Sequence, residues 1–252
     1  MRRRPAVILV VAGLATAAAA LPSIATSASQ GDTRITSVVV NDGRTVVLGV
    51  GGPVTFPVAI TATDDSGIRS VGPIGVWGPK YGILKVSPAT CEKLSATTST
   101  CTGVATVDTS RHQVWNDEAG SWYVDAQVTA NDGDHLRNAD LGGFSLKRES
   151  RLRGYNVPTH GKAGARAEIQ GWLSRAWWDN GEYHGSPDDQ VRLMFRPDGG
   201  DTWTAVSTRV TNSLGQVTAT VELTRSGWYQ WTFAGSKWTG PARSEPRHVD
   251  VG

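Results

Sequence analysis

The sequence predicts an all-β protein made of two immunoglobulin-like β-sandwich domains, and three observations support this fold class. Apolar and polar residues alternate with period two in most segments, which is typical of half-buried strands. Short clusters of Asn, Asp and Gly, such as NDGR at 41–44 and DDSG at 64–67, separate these segments and favour tight turns. No amphipathic helical pattern follows the N-terminal leader, so the signature of an α/β protein is missing.

The N-terminal leader has the organisation of a secretory signal peptide. Arginines at Arg2–Arg4 precede an apolar run, Ala6–Leu21, and small residues follow that run. The alternative is an uncleaved membrane anchor, but the run is shorter than the ~18 apolar residues of a membrane span, and Gly13 interrupts it. We therefore predict a signal peptide at residues 1–30, cleavage near residues 26–31, and a secreted, extracellular mature chain without a membrane span.

Charge limits the class of partner. The chain has 25 basic and 23 acidic side chains and a formal net charge of +2 at pH 7, and the leader carries part of the basic charge. A near-neutral mature chain without a basic cluster in its sequence gives no electrostatic reason for nucleic-acid binding. We therefore expect a cell-envelope component, a polysaccharide or a protein as the partner, and no nucleic acid.

The first domain is predicted to span residues 31–148, with strands in the order of an immunoglobulin fold. Its alternating segments are 34–40, 45–49, 55–63, 68–77, 82–87, 102–108, 121–131 and 142–147. In this topology, the loop after the third strand and the loop before the last strand lie at the same end of the sandwich. The sequence therefore places DDSG at 64–67 beside NDGDHLRNAD at 131–140.

Acidic side chains cluster at this predicted end of the first domain, here called the tip. Asp64 and Asp132 continue the inward-facing rows of their strands just beyond the last apolar residue, where a carboxylate needs a partner. One interpretation is that each carboxylate accepts hydrogen bonds from its own turn. The other is a Ca²⁺ site, because Ca²⁺ prefers oxygen ligands, and the candidates are Asp64, Asp65, Asp132, Asp134 and Asp140. We expect turns and no cofactor, and keep Ca²⁺ as the alternative.

The two cysteines, Cys91 and Cys101, lie ten positions apart in a Thr- and Ser-rich segment. In an exported protein, this pattern predicts a disulfide that closes a surface loop. A metal site is the weaker interpretation, because no further soft ligand lies nearby in the sequence.

The second domain is predicted at residues 149–252, because the alternating pattern restarts after a charged segment that contains Gly and Pro. That segment, near residue 149, has the composition of a linker. Alternation over 166–173, 191–196 and 217–223 predicts strands in this half of the chain.

Motifs in both halves indicate a family resemblance. The second half contains IQGWLSR at 169–175, PDGGDTW at 197–203 and RSGWYQW at 225–231. It resembles an immunoglobulin-like β-sandwich module of secreted actinobacterial proteins. The first half, with TRITSVVVNDGRTVVLG at 33–49 and ATDDSGI at 62–68, resembles an uncharacterised family of secreted Streptomyces proteins. The resemblance implies a fold and a location, and it implies no activity.

Tryptophans in the second domain either pack in its core or stack on a ligand. Trp172 shares its strand face with Arg166 and Gln170, which predicts an outward-facing ring. Trp177 and Trp178 are adjacent, so one of the two is expected to point outward. These three tryptophans are the candidate residues for stacking on a ligand.

No enzyme motif is present in the sequence. The five histidines are scattered, and the chain has neither a GxSxG nucleophile motif nor a phosphate-binding loop. We therefore predict a secreted, non-catalytic binding or structural protein of the cell exterior. The alternatives are a calcium-binding envelope protein and an unrecognised secreted hydrolase.

Overall fold

The computed structural model describes residues 27–252, so most of the predicted signal peptide lies outside the described residues. The regular elements of the described part are strands and short 3-10 turns, and the predicted all-β class with two immunoglobulin-like sandwiches is confirmed. No helix in this part has the length and apolar character needed to cross a membrane.

The first sandwich contains eleven strands in two sheets. They are β1 (Ser27–Gln30), β2 (Arg34–Val40), β3 (Val46–Leu48), β4 (Pro53–Thr63), β5 (Ile68–Trp77), β6 (Ile83–Lys85), β7 (Thr90–Lys93), β8 (Thr98–Asp108), β9 (Gly120–Ala130), β10 (His135–Asn138) and β11 (Gly143–Arg148). One sheet has the order β2-β4-β8-β7, and the other seven strands form the second sheet around β9.

The core of this sandwich follows the alternation in the sequence. Val58 and Ile60 on β4 are fully buried, as are Trp122 and Val124 on β9, while the residues between them lie on the outer faces. Burying each such apolar side chain contributes roughly 1.5–3 kcal/mol, which is why the period-two pattern specifies the inward face of each strand.

Three strands of the first sandwich were not predicted, namely β1, β7 and β10. The most informative is β10, because it lies inside the segment predicted as one long loop at 131–140. It pairs antiparallel with β9, with His135 opposite Thr129, and β11 pairs with the earlier part of β9, with Gly143 opposite Tyr123. The last strand position of the fold is therefore filled by two short strands in succession.

Cys91 and Cys101 are joined by a disulfide, as the sequence predicts. They lie directly opposite each other on β7 and β8, with their Cα atoms 3.9 Å apart. Cys101 is buried, whereas β7 is an exposed edge strand that pairs with β8 alone. The disulfide therefore ties an edge strand to the core-facing side of its neighbour.

The second sandwich contains ten strands in two sheets. They are β12 (Ser150–Tyr155), β13 (His160–Gly161), β14 (Arg166–Trp177), β15 (Glu182–Gly185), β16 (Gln190–Pro197), β17 (Thr204–Val210), β18 (Gln216–Glu222), β19 (Gly227–Phe233), β20 (Ala242–Arg243) and β21 (Arg247–Val251). A four-stranded sheet holds β12, β14, β15 and β18, and a six-stranded sheet holds the others. Leu173, Leu193 and Trp231 are among the buried residues between the two sheets.

The two sandwiches are joined without a loop. β11 and β12 are separated by Glu149 alone, although the composition of this region predicts a linker. The backbone N–H of Glu149 donates to Leu48 O at 2.8 Å, and its carbonyl accepts from the N–H of Ala176 at 2.8 Å. These two hydrogen bonds fix the backbone where the chain passes from the first sandwich to the second. Each pairs a backbone group of Glu149 with a residue of another strand or strand end.

A side chain of the second sandwich fills the core of the first. Trp178 directly follows β14, yet it is fully buried within the apolar cluster of the first sandwich. Its Nε1 donates to Leu48 O at 3.2 Å, and its backbone N–H donates to Asn116 Oδ1 at 2.9 Å. The junction is therefore a packed interface, and a polar backbone partner accompanies the buried indole.

Candidate ligand-binding site

The two acidic loops at the end of the first sandwich contact each other. Asn131 Nδ2 donates to Ser66 O at 2.8 Å, and the backbone N–H of Asp132 donates to Ser66 Oγ at 3.3 Å. The reason is strand pairing: Ile68 begins β5 opposite Ala130 at the end of β9, so the turns flanking these strands must meet. The structure thus brings DDSG and NDGD together, as the sequence indicates.

Asp64 lies at the centre of this tip and is 2% exposed. Its Oδ1 accepts hydrogen bonds from Ser66 N at 2.9 Å and Ser66 Oγ at 2.6 Å, and its Oδ2 accepts one from Thr33 Oγ1 at 2.6 Å. Burial acts to raise the pKa of Asp64, but the hydrogen bonds from Ser66 and Thr33 outweigh burial and hold this pKa below its usual value. Both carboxylate oxygens therefore have partners within the chain.

The same local arrangement occurs at the opposite end of the four-stranded sheet of the first sandwich. Asp108 ends β8, and its Oδ1 accepts hydrogen bonds from Ser110 N at 3.0 Å and Ser110 Oγ at 2.5 Å. In the described residues, Asp108 belongs to no group of three acidic or metal-binding side chains. An Asp-x-Ser turn therefore forms in this fold without a cluster of acidic side chains around it. This favours the turn interpretation for Asp64.

Other carboxylates nevertheless approach Asp64. Oxygens of Asp32, Asp64 and Asp134 lie within 4.8 Å of one another, and so do oxygens of Asp64, Asp65 and Asp132. The sequence did not indicate Asp32, because it lies in the loop before β2, which reaches the tip only through pairing between distant segments. Four of the five predicted Ca²⁺ ligands are thus brought together, and Ca²⁺ binding there stays a prediction.

Asp140 does not lie at this tip, contrary to the expectation. It follows β10, which runs back along β9 with Asn138 opposite Ala126. Leu141 N then donates to Val124 O at 2.9 Å, which places Asp140 beside the middle of β9. The prediction was wrong because the segment 131–140 is a hairpin rather than one loop.

Asp64→Asn tests the turn interpretation through its pH dependence. Because the folded pKa is lowered, the ionised carboxylate stabilises the folded protein above the pKa of the unfolded chain, about 3.9, and this contribution is lost as pH falls through the folded pKa. We expect the variant to be less stable at neutral pH by about 1–3 kcal/mol and to lose less further stability below about pH 4 than the wild type does. Urea unfolding at neutral and acidic pH measures both effects.

The matched control is Asp140→Asn, which leaves the tip intact and is expected to match the wild type. Melting temperatures with Ca²⁺ and with chelator complete the test, since a ligand that binds the folded state must raise the melting temperature. The turn interpretation predicts no shift. A Ca²⁺-dependent rise in the wild type that Asp64→Asn abolishes would assign the tip to a cation instead.

Two of the three candidate stacking tryptophans have other contacts. Trp178 is buried in the core of the first sandwich, so its predicted role in ligand stacking is wrong. Trp177 is half-buried, and the guanidinium groups of Arg148 and Arg175 lie 5.6 Å and 5.7 Å from its ring centroid. The ring centroid of His184 lies 5.3 Å from the ring centroid of Trp177. The Trp177 ring is therefore already engaged by side chains on several sides.

Trp172 differs from both, since it lies half-buried on the outward face of the four-stranded sheet of the second sandwich. Across the neighbouring strands it faces Arg153 on β12 and Gln216 on β18. Its Nε1 donates to Leu214 O at 2.9 Å, which fixes the orientation of the ring. Tyr155, which is 40% exposed, follows Arg153 by two positions and so shares its outward face.

These side chains form one depression with a cavity volume of about 440 Å³, lined by Arg153, Gly154, Tyr155, Trp172 and Gln216. Its chemistry combines aromatic surface with guanidinium and amide groups, which is the mixture that fixes and orients a polar ligand. The sequence carried a signal for Arg153 and Tyr155, because RLRGY alternates outward polar residues with inward Leu152. Gln216 could not be placed from the sequence, since β18 pairs with β14 across a long separation in the chain.

The histidines of the described residues do not form a serine-activating arrangement. His248 Nε2 lies 2.9 Å from Asp198 Oδ2, and His184 Nε2 lies 2.9 Å from Asn180 Nδ2. Among residues 29–252, whose side chains the structure describes, no serine hydroxyl hydrogen bonds to a histidine ring nitrogen, the contact on which a serine nucleophile depends. The predicted absence of catalysis stays a prediction that a substrate panel can test.

Comparisons with known proteins leave the family open. No family model and no curated protein match the chain. Among solved structures, fibronectin(III)-like modules of Clostridium thermocellum CbhA are 12% identical over 87% of this chain and 93% of theirs, with a TM-score of 0.36. A chimeric titin Z1Z2 is 12% identical over 89% and 98%, with a TM-score of 0.26. A superoxide reductase (neelaredoxin) from Ignicoccus hospitalis is 13% identical over 42% and 82%, with a TM-score of 0.30. Such scores carry no inference about function, so function is argued from the side chains.

Proposed function

We propose that this chain is a secreted, non-catalytic binding protein that holds a saccharide chain of the cell envelope on its second sandwich. The observation that carries the proposal is the Trp172 ring, which is partly exposed, fixed by its bond to Leu214, and flanked by Arg153 and Gln216. An aromatic face stacks on the apolar face of a sugar, while the neighbouring guanidinium and amide groups donate hydrogen bonds to its oxygens.

Export of the chain is supported by the leader in its sequence and by the disulfide between Cys91 and Cys101. Disulfides persist in oxidising compartments outside the cytosol. The strand β1 pairs with β10 over four residues, so signal-peptide cleavage that retains Ser27 keeps this strand in the mature protein.

Trp172→Ala is expected to weaken binding to protein-free actinobacterial cell walls by roughly 1–3 kcal/mol, the scale of a lost aromatic anchor. Co-sedimentation of the purified mature chain with increasing amounts of wall material measures this affinity. Trp115→Ala is the matched control, because Trp115 is a 46% exposed tryptophan on the first sandwich. Unchanged affinity of Trp172→Ala, or no sedimentation of the wild type, would contradict the proposal.

Two alternatives are separated by simple measurements. A calcium-binding envelope protein would show the Ca²⁺-dependent melting shift described for Asp64. A secreted hydrolase would show turnover on a panel of ester, peptide and glycoside substrates. The saccharide-binding proposal predicts neither result, and no described feature favours either alternative over it.

A further inference from the structure

The open edge of the second sandwich carries a groove lined by arginines from both sheets. β12 is an edge strand of the four-stranded sheet, and it contributes Arg151 and Arg153. The six-stranded sheet contributes Arg243 from β20 and Arg247 from β21. The groove has a cavity volume of about 400 Å³, and Glu245 is the single acidic residue among the described residues that line it.

The break between β20 and β21 places two of these arginines. β20 and β21 both pair with β19, and the short segment 244–246 separates them. In that segment, Ser244 N donates to Trp231 O, and Ser244 Oγ accepts from Trp231 N, both at 3.0 Å. Segment 244–246 thus acts as a bulge in which Ser244 pairs with the backbone N–H and carbonyl of Trp231 on β19. Arg243 and Arg247 lie on the two sides of this bulge and are exposed.

Most of the positive charge in the groove is not neutralised by the protein. Among the described residues, Arg153, Arg243 and Arg247 form no ion pair within 4.0 Å. Arg151 forms an ion pair with Glu149 at 3.4 Å, and its guanidinium lies over the ring of Tyr183. Like charges that converge without counter-ions repel one another, and an anionic ligand would relieve this repulsion. Guanidinium groups also match carboxylate and phosphate oxygens with two parallel hydrogen bonds.

The groove continues into two depressions that contain tryptophan. Arg153 and Gly154 line both the groove and the depression of Trp172. Arg243 lines both the groove and a depression of about 350 Å³ on the outer face of the six-stranded sheet, where Trp203 lies. The three depressions are therefore neighbours along the surface, and together they are here called the arginine track, with arginines in the middle and a tryptophan at each end.

We propose that the arginine track binds a linear anionic polysaccharide, with its acidic groups on the arginines and sugar rings on Trp172 and Trp203. This inference rests on the proposed function and specifies the chemical class of the saccharide. Single-stranded nucleic acid is the other linear polyanion, but it binds grooves in which successive bases stack along the backbone path. Here none of the described residues that line the central groove is aromatic, which favours a polysaccharide.

The test measures the affinity of the mature chain for polygalacturonate, which carries carboxylates, for wall teichoic acid, which carries phosphodiesters, and for neutral xylan. We expect tight binding to at least one anionic glycan, weak binding to xylan, and loss of affinity when NaCl is raised from about 50 to about 500 mM. Arg153→Gln/Arg243→Gln should weaken anionic binding about tenfold or more, while Arg153→Lys/Arg243→Lys keeps the charge and part of the affinity. The anionic glycan that binds more tightly identifies the acidic group.

The matched control is Arg166→Gln/Arg209→Gln, which removes two exposed arginines outside the track and is expected to bind like the wild type. Equal affinity for xylan, unchanged affinity of Arg153→Gln/Arg243→Gln, or tighter binding of single-stranded DNA would overturn the inference. If the arginine variant is unchanged while Trp172→Ala still loses wall binding, this inference fails and the proposed function stands. If no glycan binds in any arm, both fail.

Discussion

Replacing Trp178 with alanine is expected to lower the free energy of unfolding by about 3–5 kcal/mol, the range for a large aromatic side chain removed from a core. The ring is fully buried in the first sandwich although the second sandwich carries it. The substitution leaves a cavity, and it also removes the Nε1 donor of the hydrogen bond to Leu48 O. The first sandwich thereby loses part of its core, and the second loses one of its contacts with the first.

Denaturant unfolding of the full mature chain measures this effect. We expect the wild type to unfold in one transition and Trp178→Ala to unfold in two, because the shared core no longer couples the sandwiches. The matched control is Trp238→Ala, since Trp238 lies at the same junction but is 53% exposed, and we expect it to change stability by about 0.5 kcal/mol or less. A Trp178→Ala variant within about 1 kcal/mol of the wild type would show that the ring does not fill that core.

Removing the disulfide with Cys91→Ser/Cys101→Ser is expected to cost about 2–3 kcal/mol, the chain-entropy value for a loop of this size. The loss should fall mainly on β7, because this exposed edge strand pairs with β8 alone. Urea unfolding gives the total effect, and hydrogen exchange of residues 90–93 gives its location. Thr90→Ser/Thr102→Ser, the neighbouring opposed pair, is the matched control. Free thiols in the exported wild type, or equal stability of the cysteine variant, would contradict this expectation.

Much of the fold could be predicted from the sequence, because alternation alone specifies which strand face is buried. The predicted segments at 34–40 and 68–77 coincide with β2 and β5. β10 was missed because this strand has four residues, too few to show a period-two pattern, and because they are largely polar. β7 was missed for the same reason, since all four of its residues are exposed.

The site could be predicted only in part. The alternation of side chains along a strand (their parity) shows which face each residue lies on, but it does not show which strands contact each other. Parity indicated an outward Trp172, and the structure places the ring on that face. The sequence could not show that Trp178 enters the other sandwich, since that contact joins residues more than a hundred positions apart. Arg243 and Arg247 meet Arg153 in one groove for the same reason: two sheets built from distant segments share an edge.

Amide hydrogen exchange of the mature chain, with and without saturating soluble wall polysaccharide, tests saccharide binding at Trp172 most directly. Exchange should slow in the segments 150–155, 170–174 and 214–218, which surround the Trp172 ring. It should stay unchanged in the acidic loops at 64–67 and 131–134. Slowing confined to the first sandwich, or no slowing anywhere once binding is saturated, would contradict binding at this site.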